Sequence, residues 1–283
     1  MKKLRHYIAP KVLESSHRIG VVLVGAGGTG SQVLMGLGKI SHALGELGLP
    51  QLYVTAVDDD LVSTSNIGRQ AFAKSDVGES KAATLITRLN QHYGTDWRAL
   101  PVRLPNDGAL PFIPHTNFLI TCVDTAKARI EIAQWFAKIG NEERHPHHNC
   151  APEYWLDFGN ARNSGQTILG TMRPVEQPKK SEHDLASELP TVLDLYPDLA
   201  NVDEGDDTPS CSLPEALRKQ GLFVNTTVAS MGCDLLFDFI RFGYAEEAHG
   251  FFFGKYSSSP LMVSRETWAT FGYKQEDAGL KAA

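Results

Sequence analysis

The stretch RIGVVLVGAGGTGSQVLMGL, residues 18–37, decides how the rest of the chain is read. Its first half is a short β-branched run, its middle is rich in glycine, and from Ser31 to Leu44 apolar residues recur at helical spacing. That is strand, turn, helix. Residues 25–30, GAGGTG, fit the pattern G-x-G-x-x-G through Gly25, Gly27 and Gly30, with Gly28 a further glycine of the turn, where missing side chains let backbone N–H groups and a helix N-terminus approach a phosphate. The pattern says nucleotide without separating NAD, FAD and ATP, and a tight packing turn would also use these glycines.

Working outward, Leu52–Val57 repeats the strand signal, and 79–92 reads as an amphipathic helix. Residues 97–104 and 118–123 read as further strands, with a helix over 126–138. Alternation of this kind predicts a doubly wound, Rossmann-like α/β fold with a mostly parallel sheet. Residues 154–158 and 166–172 read as two more strands around a turn at 159–165. From about 173 to 214 the chain carries six prolines and the acidic run Asp203–Asp207, too long and too polar for an ordinary connector. It is read as a functional or mobile crossover. Residues 223–242 form an apolar and therefore buried helix, and 251–256 with 261–263 form a closing antiparallel pair. One domain over 1–283 is expected, the 173–214 crossover being an insertion in it.

Composition narrows the function. The 283 residues are 42% hydrophobic and 21% charged, a globular balance, and 27 basic against 33 acidic residues give a net charge of −6. That sign argues against neutralising a nucleic-acid backbone over a broad face. No apolar run approaches the roughly 18 residues that span a bilayer, so no membrane partner and a cytoplasmic location are expected. Four cysteines, Cys122, Cys150, Cys211 and Cys233, include no C-x-x-C pair, so neither a disulfide framework nor a structural zinc is expected.

The more specific signal follows the second strand. Asp58, some 30 residues beyond the glycines, stands where an acid commonly accepts from ribose hydroxyls. The chain continues DDDLVSTSNIGRQ over 58–70 and places Lys81 at the start of the next helix. Arg69 and Lys81 are cations that a redox cofactor does not need. A reacting triphosphate does need them, because charge develops on its oxygens and must be met by fixed donors.

These residues, together with Asp124 and Arg129 five positions on, resemble the ThiF/HesA/MoeB superfamily that includes the ubiquitin-activating enzymes. The resemblance runs over roughly 19–129 and returns near Asn225. Within the superfamily the sequence is most similar to ThiF-type proteins of bacterial PRTRC gene clusters. The resemblance implies that Asp58 and Asp60 lie at the nucleotide with Asp58 on the ribose, that Asn66, Arg69, Gln70 and Lys81 hold phosphates, and that Asp124 carries Mg²⁺. It implies ATP-dependent adenylation of the C-terminal carboxylate of a ubiquitin-like (β-grasp) or sulfur-carrier protein, with pyrophosphate released. A homodimer is implied too, and a conjugating enzyme is a further partner of such systems. Thr125 departs from the Asn or Ser that often follows the aspartate.

Other readings stand beside this one. Cys211, in PSCS at 209–212, lies where sulfur-transferring or thioester-forming relatives carry a reactive cysteine, or it is an inert loop thiol. Cys122 and Cys233 sit among apolar residues and are read as core, and Cys150, ending HPHHNC, as part of a solvated turn or a metal ligand. Asp124 could merely cap the helix at Ala126, a role compatible with metal binding. Arg5 is a candidate for the cation that dimeric relatives extend to a neighbour's ATP. The acidic crossover is either solvated surface or a guide for a basic partner face. A non-catalytic scaffold that binds nucleotide and partner, and a NAD-dependent dehydrogenase, remain alternatives.

Overall fold

A computed structural model describes residues 4–14, 18–142, 146–201, 221–253 and 257–274. The strand read from residues 18–24 is β2 (Ile19–Val24), and all six of its residues are buried. Burial on both faces is the signature of a central parallel strand covered by helices on each side. β2 lies parallel between β3 (Leu52–Val57) and β5 (Phe118–Thr121), with Val24 beside Val57 on one flank and beside Thr121 on the other. β4 (Arg98–Leu100) extends the sheet beyond β3, and β6 (Tyr154–Asn160) extends it beyond β5, both parallel. The chain therefore builds outward from β2 in one direction and then returns to build the other. That reversal opens a crevice at the carboxyl ends of β2 and β5, where open α/β sheets bind ligands.

Beyond β6 the sheet turns antiparallel through β7 (Ser164–Thr171), β10 (Glu247–Phe253) and β11 (Ser257–Met262). The full order is β11-β10-β7-β6-β5-β2-β3-β4. The expected α/β sheet, parallel in its centre, and the closing antiparallel strands are both present. The closing pair begins earlier than the sequence suggests, at Glu247.

Three long helices follow the three central strands: α1 (Gly28–Glu46), α2 (Lys81–Tyr93) and α3 (Ala126–Asn141). α1 buries Val33, Leu34, Leu37 and Leu44. α2 is fixed at both ends, by the Ser80 hydroxyl accepting from the Ala83 amide at 3.3 Å and by left-handed Gly94. Among the described residues of the crossover, α4 (Val192–Leu195) is a single turn. The late apolar helix is α5 (Val224–Phe242). It presses on the sheet at Gly232, where a Cβ would lie 2.3 Å from the Phe158 ring, and on α1, where a Cβ on Gly36 would lie 2.4 Å from Cys233 Sγ. Phe239 closes the core edge-on against Tyr154 and Phe118.

Several expectations need correction. The strand read at 97–104 shrinks to three residues: Pro101, directly after its last paired residue, has no N–H for the ladder, and before it Trp97 turns its indole inward to donate to the Leu52 carbonyl at 3.0 Å. The crossover is not loose over its first part. Val175, Ala186, Leu189, Val192 and Leu195 are all buried. The N-terminal segment, which carries no strand signal of its own, forms β1 (Leu4–Tyr7) between β8 (Asp184–Leu185) and β9 (Tyr244–Ala245). Tertiary pairing supplies what local propensity lacks. The acidic run Asp203–Asp207 and Cys211 lie outside the described residues.

Candidate nucleotide site

The glycine turn is built by close approaches. Gly25 adopts φ 91°, and a Cβ there would lie 2.7 Å from the Cys122 carbonyl oxygen. A Cβ on Gly30 would lie 1.8 Å from the Gly25 carbonyl, so only glycine lets α1 begin this near the strand ends. Gly27 is different. Its Cβ direction meets nothing within 4 Å, which leaves an open cradle in front of the first turn of α1. The amides of that turn have no intrahelical acceptor and carry the positive end of the helix dipole.

Three connections close around this cradle. Asp58, just past β3, accepts from the Ala26 amide at 2.5 Å through one oxygen and from the Asp60 amide at 2.9 Å through the other. Burial raises its carboxyl pKa, while the Ala26 amide and the Lys81 charge pull it back down. Lys81, the first residue of α2, donates to Asp60 at 2.7 Å. The Ser31 hydroxyl in α1 accepts from the Ala71 amide at 3.2 Å, which holds the loop bearing Arg69 and Gln70 against the start of α1.

Within that loop Asn66 is buried and accepts from the Ser63 amide at 2.8 Å, forming part of a capping box. Arg69 is half-buried, and Gln70 is buried. Arg69 Nε and Gln70 Oε1 are shielded from solvent with no hydrogen-bond partner among the described residues. Unpaired buried polar groups cost free energy, so they mark places where a ligand completes the arrangement. A buried Lys81 at a helix N-terminus is unfavourable twice over, by desolvation and by the dipole, and only anions offset both. An open cradle, two unpaired polar atoms and a buried cation suit a phosphate-bearing ligand.

Asp124 is exposed and lies two residues beyond Cys122, whose amide donates to the Val24 carbonyl at 2.9 Å. The sheet thus carries its backbone beside the glycine turn. The cap of α3 is Thr125, which accepts from the Ala128 amide at 3.1 Å. Among the described residues no group of three metal-ligating side chains occurs. A single carboxylate is nevertheless a normal protein share for Mg²⁺, which takes its remaining oxygens from phosphate and water.

Arg129 and Asp157 were not read as partners from sequence. Arg129 Nε donates to Asp157 Oδ1 at 3.0 Å, and its Nη2 donates to the Phe158 carbonyl at 3.1 Å. Asp157 also accepts from the Thr121 hydroxyl at 2.6 Å. The available signal was a carboxylate inside an otherwise apolar strand. Asn225, Thr29 and Asn160 were missed as a group as well. Thr29 Oγ1 donates to Asn225 Oδ1 at 3.1 Å, and Asn160 Nδ2 donates to Thr29 Oγ1 at 2.7 Å.

Other expectations resolve plainly. Cys122 and Cys233 are core, and burial pushes their thiols up, Cys233 to about 12. Cys150 is not in a solvated turn: it is buried and donates to the Ile113 carbonyl at 3.0 Å. Arg5 is engaged within its own chain, paired with Glu246 and stacked 3.8 Å over the Tyr244 ring. A cleft of about 400 Å³ between α1 and α5, lined by Met35, Lys39, Cys233 and Phe237 among others, contains none of the sequence-predicted site residues. No helix among the described residues is long and apolar enough to cross a membrane.

The ThiF family profile matches residues 3–241, most of the chain. The chain belongs to the ThiF family. Over 113 residues this ThiF-family chain is 34% identical to an "adenylyltransferase and sulfurtransferase UBA4" of Scheffersomyces stipitis, covering 38% of this chain and 23% of that protein. Over 124 residues it is 32% identical to a "sulfur carrier protein adenylyltransferase" of Thermus thermophilus, covering 43% and 42%. It therefore spans less than half the length of these curated relatives. Among solved structures, E. coli MccB with ATP aligns at TM-score 0.51 and 15% identity over 89% of this chain and 66% of that one. PaaA aligns at TM-score 0.53 and 14% identity over 87% and 64%. At these identities the likeness is one of fold.

Proposed function

We propose that this ThiF-family chain is an adenylyltransferase that uses MgATP to activate the C-terminal carboxylate of a ubiquitin-like or sulfur-carrier protein. The observation that carries the reading is the buried Lys81 at the start of α2, paired with the largely exposed Asp60 and close enough to Asp58 to lower its pKa, beside a glycine turn that Asp58 holds in place. The names of the relatives in Scheffersomyces and Thermus support the same chemistry.

In this reading Asp58 and Asp60 lie at the ribose end of the cradle, and Asn66, Arg69, Gln70 and Lys81 meet the phosphates. Asp124 supplies the protein ligand to Mg²⁺, which would neutralise phosphate charge as pyrophosphate leaves. The attacking carboxylate is already ionised near neutral pH, so no general base is needed. Carboxylate oxygen bonds to the α-phosphorus as the bond to the β-phosphate oxygen breaks, giving an acyl adenylate and pyrophosphate. Rate comes from positioning and from fixed charge.

The finer parts of the reading are that 1–283 acts as one adenylation domain in a cytoplasmic homodimer, and that its β-grasp partner belongs to a PRTRC-type system. A thioester at Cys211, followed by handover to a conjugating enzyme, completes it. Asp203, Glu204, Asp206 and Asp207 would guide a basic partner face.

The test is exchange of labelled pyrophosphate into ATP with candidate β-grasp proteins. Removing one fixed donor to transition-state charge costs about 10²–10³-fold in such sites, so Arg69→Ala and Asp124→Ala should each lower exchange by that order. Exchange that persists in both variants overturns the site. Intact mass after MgATP treatment, with and without hydroxylamine, decides the role of Cys211.

A further inference from the structure

Asn225 stands in the first turn of α5, the helix that follows the crossover, and is only 2% exposed. Its Oδ1 is taken twice, by Thr29 Oγ1 at 3.1 Å and by Asn160 Nδ2 at 3.3 Å. Its Nδ2 points at the start of α1, where it lies 2.3 Å from the position a Cβ on Gly28 would occupy. Among the described residues Nδ2 has no hydrogen-bond acceptor. An amide whose acceptor side is satisfied twice and whose donor side is unpartnered has hydrogen-bonding capacity left for a ligand. The first amides of α1 have no intrahelical acceptor, and the cradle at Gly27 opens beside them.

We infer that Asn225 is a phosphate-binding residue of the nucleotide site, its Nδ2 donating to an anionic oxygen seated at the N-terminus of α1. Thr29 and Asn160 fix which way the amide faces, because both present hydrogens to Oδ1 and leave Nδ2 as the outward group. Gly28 follows as a requirement, since any side chain there would displace the amide. The contact also joins the nucleotide turn to the end of the crossover through one side chain. This inference rests on the nucleotide reading above.

The experiment is calorimetric titration of the full chain with ATP, with adenosine and with pyrophosphate, on wild type, Asn225→Asp and Asn225→Ser. Asn225→Asp keeps the acceptor and the shape while turning the donor into a like charge. It should weaken ATP and pyrophosphate about tenfold or more, the order expected when a charge-assisted hydrogen bond is replaced by repulsion, and leave adenosine unchanged. In wild type labelled at asparagine nitrogen, the Asn225 side-chain amide signals should move with ATP and pyrophosphate and stay in place with adenosine. This readout needs no folded variant. Equal weakening of adenosine and ATP, unaltered ATP affinity in Asn225→Asp, or amide signals indifferent to pyrophosphate would each overturn the inference while leaving the nucleotide site intact. A wild-type chain that binds neither adenosine nor ATP would overturn both.

Discussion

Arg129–Asp157 and Lys81–Asp60 are ion pairs beside the carboxyl ends of the same sheet, and their surroundings are opposite. In the first, the Asp157 side chain is 1% exposed and the Arg129 side chain 11%, and Thr121 and the Phe158 carbonyl complete their hydrogen bonds. In the second, the lysine side chain is 9% exposed but its aspartate is 66% exposed, and the lysine sits at the positive end of a helix. A closed pair is architecture: its members satisfy one another and ask for nothing. An open pair with a buried cation keeps attraction to spare for a ligand. The His6 network belongs with the closed kind, its Nδ1 donating to the Ala186 carbonyl at 2.7 Å and its Nε2 3.2 Å from the Tyr154 hydroxyl.

Breaking the closed pair should have the largest effect. Asp157→Ala leaves Arg129 buried and unmatched, and equilibrium denaturation should report a loss of about 3–5 kcal/mol. A loss below about 1 kcal/mol would mean the pair is not closed in solution.

The histidines sharpen the comparison through pH. Burial lowers the pKa of His6 from 6.5 to about 4, and that of buried His249 likewise to about 4. The unfolded chain then binds more protons than the folded one between those limits, so stability falls as pH drops from 6.5 toward 4. Each histidine contributes a slope of up to about 1.4 kcal/mol per pH unit, and none above 6.5. Denaturation series at pH 7, 6 and 5 should show it, and His6→Gln should remove about half of it, the share of His249 remaining. An unchanged slope in His6→Gln would take His6 out of the closed class.

The open pair should show the smallest effect on folding. Lys81→Met exchanges a buried cation for an apolar chain of similar length and leaves Asp60 in solvent. Without nucleotide the stability change should stay within about 1 kcal/mol, while pyrophosphate exchange collapses. A destabilisation above about 2 kcal/mol without nucleotide would make this pair architectural too, and the contrast would disappear.

The fold was legible because its decisive signals are local. β2, α1, β3, α2 and α3 each announce themselves by period and by glycine or serine punctuation within a few residues. β1 was not legible, since Leu4–Tyr7 becomes a strand only through partners at 184–185 and 244–245. In the site, Asp58 and Lys81 were readable because they follow the glycines at spacings that a βαβ unit brings together. Asn225 and Asp157 were not. Neither partnership stands out by local pattern, and the partner lies 196 residues away at Thr29 in one case and 28 away at Arg129 in the other.

By itself the sequence determined the order of strands and helices and the presence of a glycine turn followed by acids and cations, because periodicity and backbone sterics act over short range. Only the tertiary structure decided which charges are closed off and which stay open, that Cys150 is sealed, and that α5 brings the Asn225 amide to the glycine turn. Those outcomes depend on burial and on contacts between distant segments, and neither exists until the sheet has assembled.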